Sequence, residues 1–186
     1  MKTFILVYPT FVQYEIVFTS MFMKTVGDVV TVGLDGGEVT SHEGFIVKPH
    51  MKLSDMNFDE VDLFVVPGGE HVRIYGNPEL AKTLQALNKK GKVIAAICSG
   101  PVHLAKAGLL DGKKYTSYRL PQRANDFKNA TRLEDNVVVD GNIVTAKNVG
   151  YVDLALELGK IFNIYKDEAD YRETVESFRN FKDVEQ

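Results

Sequence analysis

The chain of 186 residues has one cysteine and no tryptophan. A single cysteine cannot close an internal disulfide, so nothing points to an oxidising compartment. Long apolar runs are also missing, which removes a membrane-spanning helix from consideration. The opening MKTFILVY has a short apolar stretch, but Pro9 follows it without a small-residue cleavage site, unlike a secretory signal. Excess positive charge is lacking as well. The formal net charge is -3, which offers no broad basic field for a nucleic-acid backbone, and Lys89-Lys90 and Lys113-Lys114 read as solvated element ends. The four histidines and lone cysteine form no cluster with metal-ligand spacing, so neither a structural metal nor a cofactor is expected. PGGEH lacks the glycine spacing and lysine of a phosphate loop. These absences predict a cytoplasmic soluble protein that works on a small molecule, away from membranes and nucleic acids.

What is present is an alternation of short buried strands and helices. Lys2–Tyr8, Val29–Leu34, Asp62–Val66 and Val93–Ile97 are β-branched or apolar runs of strand length. Tyr14–Val26 reads as a covered helix ending at Gly27. Asn77-Pro78-Glu79 is a strong helix start, with an N-cap, a proline at the first helical position and an acid in the first turn; that helix stops at Gly91. Glu38–Thr40 and Gly44–Lys48 predict a small antiparallel addition at the sheet edge, and Val137–Asp140 with Ile143–Ala146 a hairpin across Gly141-Asn142. Tyr115–Ser117 reads as a short strand, Tyr151–Tyr165 as an amphipathic helix and Asp167–Phe181 as a terminal one. The pattern predicts one domain over residues 1–186: a doubly wound, flavodoxin-like α/β fold whose parallel sheet is flanked by helices.

In such sheets the ligand crevice lies beyond the carboxyl ends of the strands. Cys98 falls there, between the most apolar strand and the Cys98-Ser99-Gly100-Pro101 corner that opens the next helix. The first-turn N–H groups and the helix dipole would lower its thiol pKa, as at a nucleophile elbow with cysteine in place of serine.

Val93-Ile94-Ala95-Ala96-Ile97-Cys98-Ser99-Gly100-Pro101 resembles the AICxGP signature of the ThiJ/PfpI (DJ-1-like) superfamily. Val65-Val66-Pro67-Gly68-Gly69 resembles its second mark, an apolar strand ending in PGG, and Glu15, in Phe11-Val12-Gln13-Tyr14-Glu15, its acidic residue after the first strand. The order and spacing of elements are similar from about Lys2 to Phe162. The resemblance implies that Glu15 faces the Cys98 sulfur and shuttles a proton, the two titrating as a coupled unit. It further implies that the amides of Gly69 and Ser99 form an oxyanion pocket, and that the protein is a homodimer.

Departures from that pattern bear on the reaction. Ser99 stands where protease-like members carry histidine after the cysteine. Tyr118 stands where many glyoxalase-like members carry one, and a phenol is a poor base at neutral pH. No histidine follows His103. His71, one residue past PGG, can reach the site, whereas His42 and His50 read as surface residues and His103 as packed. The leading expectation is a cysteine-dependent enzyme on small electrophiles, of glyoxalase, deglycase or hydrolase type. The alternatives are a redox-responsive stress protein with an oxidisable Cys98, and a peptidase with His71 as base.

Overall fold

The apolar runs build the strands that the sequence predicts, and most of their residues are buried. In the computed structural model, which describes residues 1–183, the chain begins with β1 (Lys2–Leu6), α1 (Tyr14–Lys24), β2 (Asp28–Gly33), β3 (Val39–Thr40), β4 (Ile46–Val47) and β5 (Met51–Lys52). It continues through β6 (Leu63–Val66), α2 (Pro78–Lys89), β7 (Val93–Ile97), α3 (Pro101–Lys106), β8 (Lys114–Tyr115) and β9 (Thr131–Arg132). Then follow β10 (Val137–Asp140), β11 (Ile143–Ala146), α4 (Tyr151–Ile161) and α5 (Glu168–Phe178). Among the described residues, no helix is long and apolar enough to cross a membrane.

Seven strands form the central sheet in the order β10-β11-β7-β6-β1-β2-β5. All neighbours are parallel except β10, which pairs antiparallel with β11. The chain moves outward from β1 to β2, then returns to build β6, β7 and β11 on the other side. Right-handed crossovers running in opposite directions put their helices on opposite faces. Hence α1 packs with α4, and α2 with α3. Aromatic contacts tie the first group together: Tyr14 meets Tyr151 edge-on and Phe18 stacks on it, and Phe18 and Phe22 meet Phe178 of α5 edge-on. The reversal between β1 and β6 is the topological switch point, where the strand ends splay and leave a crevice.

The ends of β6 and β7 are held firmly. Leu63 to Val66 and Ile94 to Ile97 are buried without measurable exposure, and burying each large aliphatic side chain contributes about 1.5–3 kcal/mol. Asn77 caps α2 as expected, its side chain accepting from the Leu80 amide at 2.9 Å.

Three expectations are corrected in detail. β3 and β4 do pair antiparallel, but as a separate two-stranded sheet and not at the edge of the main one. The strand expected over Tyr115–Ser117 ends at Tyr115, and β8 pairs with β9 outside the main sheet. The reason is competition for its amides: Thr116 N–H donates to Thr145 Oγ1 at 2.9 Å, and Tyr118 N–H donates to the Cys98 carbonyl at 2.9 Å. The helix expected to reach Tyr165 ends at Ile161, because Asn163 turns left-handed and the Tyr165 hydroxyl folds back to donate to the Leu156 carbonyl at 3.1 Å.

Candidate active site

β7 delivers Cys98 to the mouth of the crevice, where α3 begins. Cys98 adopts φ 61°, a left-handed conformation that costs a non-glycine residue roughly 1–3 kcal/mol. Its carbonyl accepts from Tyr118 N–H and its amide donates to the Ala146 carbonyl, so the strained corner is pinned from both sides. The sulfur opens onto a cavity of about 440 Å³.

Glu15 enters from α1, one residue past its start. It is 1% exposed, not the solvated helix-start acid that its position alone would suggest. Its Oε2 accepts from the Gly68 amide at 2.8 Å, and the carboxyl lies against the Cys98 thiol. Oε1 is buried with no partner. The PGG turn has a steric reason here. A methyl on Gly68 would sit 2.6 Å from Cys98 Cβ and 2.7 Å from Glu15 Oε2, and Gly69 holds φ 144° against the Thr10 carbonyl. Two glycines are what let the acid and the thiol meet.

Burial pushes the Glu15 carboxyl up to about 7, with the hydrogen bonds from Cys98 and Gly68 opposing. Burial also pushes the Cys98 thiol up, reinforced by the charge of Glu15 and opposed by the amide and hydroxyl of Ser99. The expected fall in thiol pKa from the helix dipole is therefore corrected. α3 has only six residues, and its dipole does not outweigh desolvation plus a facing carboxylate. The two acids titrate together: the pair loses its first proton near neutrality and keeps the second far above it.

The expected pair of oxyanion amides is half altered. Gly69 N–H already donates to Ser99 Oγ at 3.1 Å, and that hydroxyl donates to the Gly69 carbonyl at 3.0 Å. Gly69 thus braces Ser99, and Ser99 N–H faces the sulfur. Tyr118 lines the cavity with its side chain half exposed, and holds the site through its backbone. His71 lines the same cavity but is 8% exposed, its Nε2 accepting from Arg123 Nε at 3.3 Å; that lone pair is occupied, which counts against its expected use as a base. His103 is buried in α3, consistent with its packed reading. Exposed His42 turns out to reach the cavity wall.

Several site residues escaped the sequence reading. Asn148, Tyr14 and Leu120 line the cavity from distant segments. Tyr8 lies buried beneath Gly69, its hydroxyl donating to the Pro67 carbonyl at 3.3 Å. Glu43, from the β3–β4 turn, accepts from the amides of Gln13 and Tyr14 at 3.1 Å and thereby caps α1 just ahead of Glu15. Only the strand-ending Tyr8-Pro9 carried a local signal. Among the described residues no group of three or more His, Cys, Asp or Glu side chains could hold a metal ion.

A cysteine held left-handed between strand and helix, with a carboxyl against its sulfur, places the molecule among α/β proteins built around a nucleophile elbow. Comparison narrows that class. Residues 1–160 match the DJ-1/PfpI family, and the chain belongs to it. It is 34% identical to the deglycase PfpI of Pyrococcus furiosus over 81% of this chain and 92% of that protein. A match to an uncharacterized protein of Methanocaldococcus jannaschii, 35% identical, covers 68% of this chain and 63% of the relative. The crystal structure of Drosophila melanogaster DJ-1beta superposes with a TM-score of 0.81 at 24% identity, covering 96% of this chain and 97% of that one.

Proposed function

We propose that this protein is a cysteine-dependent enzyme that converts small 2-oxoaldehydes, or their adducts, into 2-hydroxy acids. The observation that carries this reading is the coupled Glu15–Cys98 pair at the wall of an open cavity. Near neutrality the pair holds one shared proton, and the reactive arrangement is thiolate beside protonated carboxyl. A relative named a deglycase supports the substrate class.

The thiolate adds to the aldehyde carbon, and the Glu15 proton passes to the new alkoxide. The Glu15 carboxylate next removes hydrogen from that carbon and the electron pair moves into an enediolate; the hydroxyl proton on the sulfur-bearing carbon crosses to the neighbouring oxygen, and Glu15 returns its proton to the neighbouring carbon. The sulfur then bears a thioester, which water hydrolyses to a 2-hydroxy acid and the free thiol. One carbon is oxidised and its neighbour reduced, so no outside oxidant takes part. Ser99 N–H is the donor nearest the developing oxyanion. The working unit is read as a single cytoplasmic domain acting as a homodimer. The half-exposed Tyr14, Val17 and Met21 along α1, and the exposed Phe45 and Ile46, support a covered face.

Turnover of methylglyoxal to lactate tests the reading. Cys98→Ser should lower kcat/KM by about 10³-fold or more. Undiminished turnover in that variant, or none by the native protein, would overturn it.

A second reading draws on the same geometry. The Glu15 carboxyl, which lies beside the Cys98 sulfur and has one oxygen without a partner, would hydrogen-bond an oxygen added to Cys98, which favours a stable sulfinate and a redox-responsive role. Intact-mass measurement after mild peroxide would show a gain of two oxygens in the native chain and loss of that product in Glu15→Leu.

A further inference from the structure

His71 faces the Cys98 cavity, yet its ring is oriented from outside it. Nε2 accepts from Arg123 Nε at 3.3 Å, and a guanidinium has no lone pair to offer in return. Nε2 therefore carries the lone pair, and the ring proton sits on Nδ1. Among the described residues no protein group pairs with Nδ1. The residue itself is anchored by its amide, which donates to the Gly69 carbonyl at 2.8 Å.

Arg123 is fixed in turn. Its guanidinium carbon lies 3.6 Å from the centre of the Tyr75 ring, and the Tyr75 hydroxyl donates to the Asp126 carboxylate, 2.8 and 2.9 Å from its two oxygens. The His71 ring meets Tyr75 edge-on, at 6.4 Å and 86°. Asp126, Tyr75, Arg123 and His71 thus form a continuous chain running from the surface segment 121–127 to the cavity wall. The charged and titratable groups around the ring are Arg123 and Asp126 from that segment, Tyr75, and His103 from α3. Burial and Arg123 hold the ring neutral, against the smaller opposing pull of Asp126.

We propose that His71 is a neutral hydrogen-bond donor that orients the substrate's second oxygen, the one on the carbon beside the site of sulfur attack. Arg123 is its positioning residue, setting the tautomer through Nε2. This assignment rests on the 2-oxoaldehyde reading and sharpens it. A base needs an available lone pair facing the substrate, and the chain behind His71 takes that lone pair away. The nitrogen left over, on a residue that lines the cavity, is a donor, suited to a carbonyl oxygen whose charge grows in the enediol. It also accounts for an arginine held over a tyrosine ring outside the cavity, which the catalytic pair leaves unexplained.

Side-chain ¹⁵N NMR of the native protein tests the tautomer directly. The expected result is a neutral ring protonated on Nδ1 from about pH 6 to about pH 8. Arg123→Leu should shift the ring toward a mixture of tautomers and raise its pKa, and added guanidinium ion should reverse both changes. Asparagine places its amide nitrogen near where Nδ1 lies, and glutamine near Nε2. His71→Asn should therefore keep methylglyoxal kcat/KM within about threefold, while His71→Gln lowers it by about tenfold or more. A charged ring, an Nε2–H tautomer, or the reverse order of the two variants would overturn the proposal. The NMR result does not depend on turnover. Absence of turnover by the native protein would instead sink the parent reading, with the tautomer assignment still standing.

Discussion

Two pairs of buried ionisable groups lie close to the PGG turn, and burial drives them in opposite directions. Glu15 and Cys98 are acids, so losing water raises both. His71 and His103 are bases, so the same loss lowers both, His103 to about 3. In each case the charged form is the one that desolvation penalises. The consequences differ because of what faces each pair. The acids face each other and a cavity, so removing one proton near neutrality leaves one proton between carboxyl and sulfur, and its passage from thiol to carboxylate makes the nucleophile and the proton donor together. The imidazoles face Arg123, which helps to keep them uncharged across the physiological range. One pair is set up to move a proton and the other to keep its own.

Removing the acid from the first pair should have the largest effect. Glu15→Gln keeps a hydrogen-bonding group near the sulfur but cannot pass a proton, so kcat/KM should fall by about 10²–10⁴-fold. In the native protein kcat/KM should rise with pH through about 7 as the pair gives up its first proton. In Glu15→Gln that rise should be gone, and a surviving inflection would mean that another group supplies it.

Stability gives the next test of the contrast, because the two pairs carry opposite signs. The folded-state pKa of Glu15 is raised from 4.5 to about 7, so its stabilising protonation is complete below 4.5 and lost as pH rises through 7. At pH 8 this costs about 3 kcal/mol. Urea unfolding should find Glu15→Gln more stable than the native chain at pH 8 and nearly equal to it near pH 4.5. No gain at pH 8 would show that the carboxylate is better solvated than its burial implies.

His103 works the other way. Its pKa is depressed from 6.5, so its contribution is present above 6.5 and lost as pH falls toward 3. Its Nε2 is buried without a partner, which leaves nothing to stabilise a charged ring. At pH 5 the loss is about 2 kcal/mol, partly cancelling the gain from Glu15. His103→Leu should gain more stability between pH 7 and pH 5 than the native chain does, and an unchanged slope would place the titration elsewhere.

The smallest effect is expected at Tyr118. Its backbone, not its hydroxyl, holds the Cys98 corner. Tyr118→Phe should alter methylglyoxal turnover only a few-fold, by about the worth of one exposed hydrogen bond. A collapse comparable with Cys98→Ser would make the phenol part of the chemistry.

The elements carrying these groups differed in how far they could be read in advance. β7 and its Cys98-Ser99-Gly100-Pro101 corner were legible because burial on both faces demands a continuous apolar run, and a tight corner demands small residues. α2 was legible from Asn77 and Pro78, whose capping role is local. The separate β3–β4 sheet, the early end of β8 and the cap on α1 were not. The last two depend on a partner far along the chain: Thr145 for Thr116, and Glu43 for Gln13 and Tyr14. Residue type and spacing hold no record of such distances.

Local patterning was enough to specify a parallel α/β sheet, a cysteine at the end of its most apolar strand and a glycine pair at the end of the next. The tertiary structure decided the rest of the site. It made Glu15 a buried partner of Cys98 where the sequence alone allowed a solvated acid, committed the Gly69 amide to Ser99, and turned the lone pair of His71 toward Arg123. It also set the direction of the thiol pKa. The helix dipole is a local quantity readable from a strand–turn–helix pattern, whereas desolvation and a facing carboxylate depend on everything packed around the sulfur.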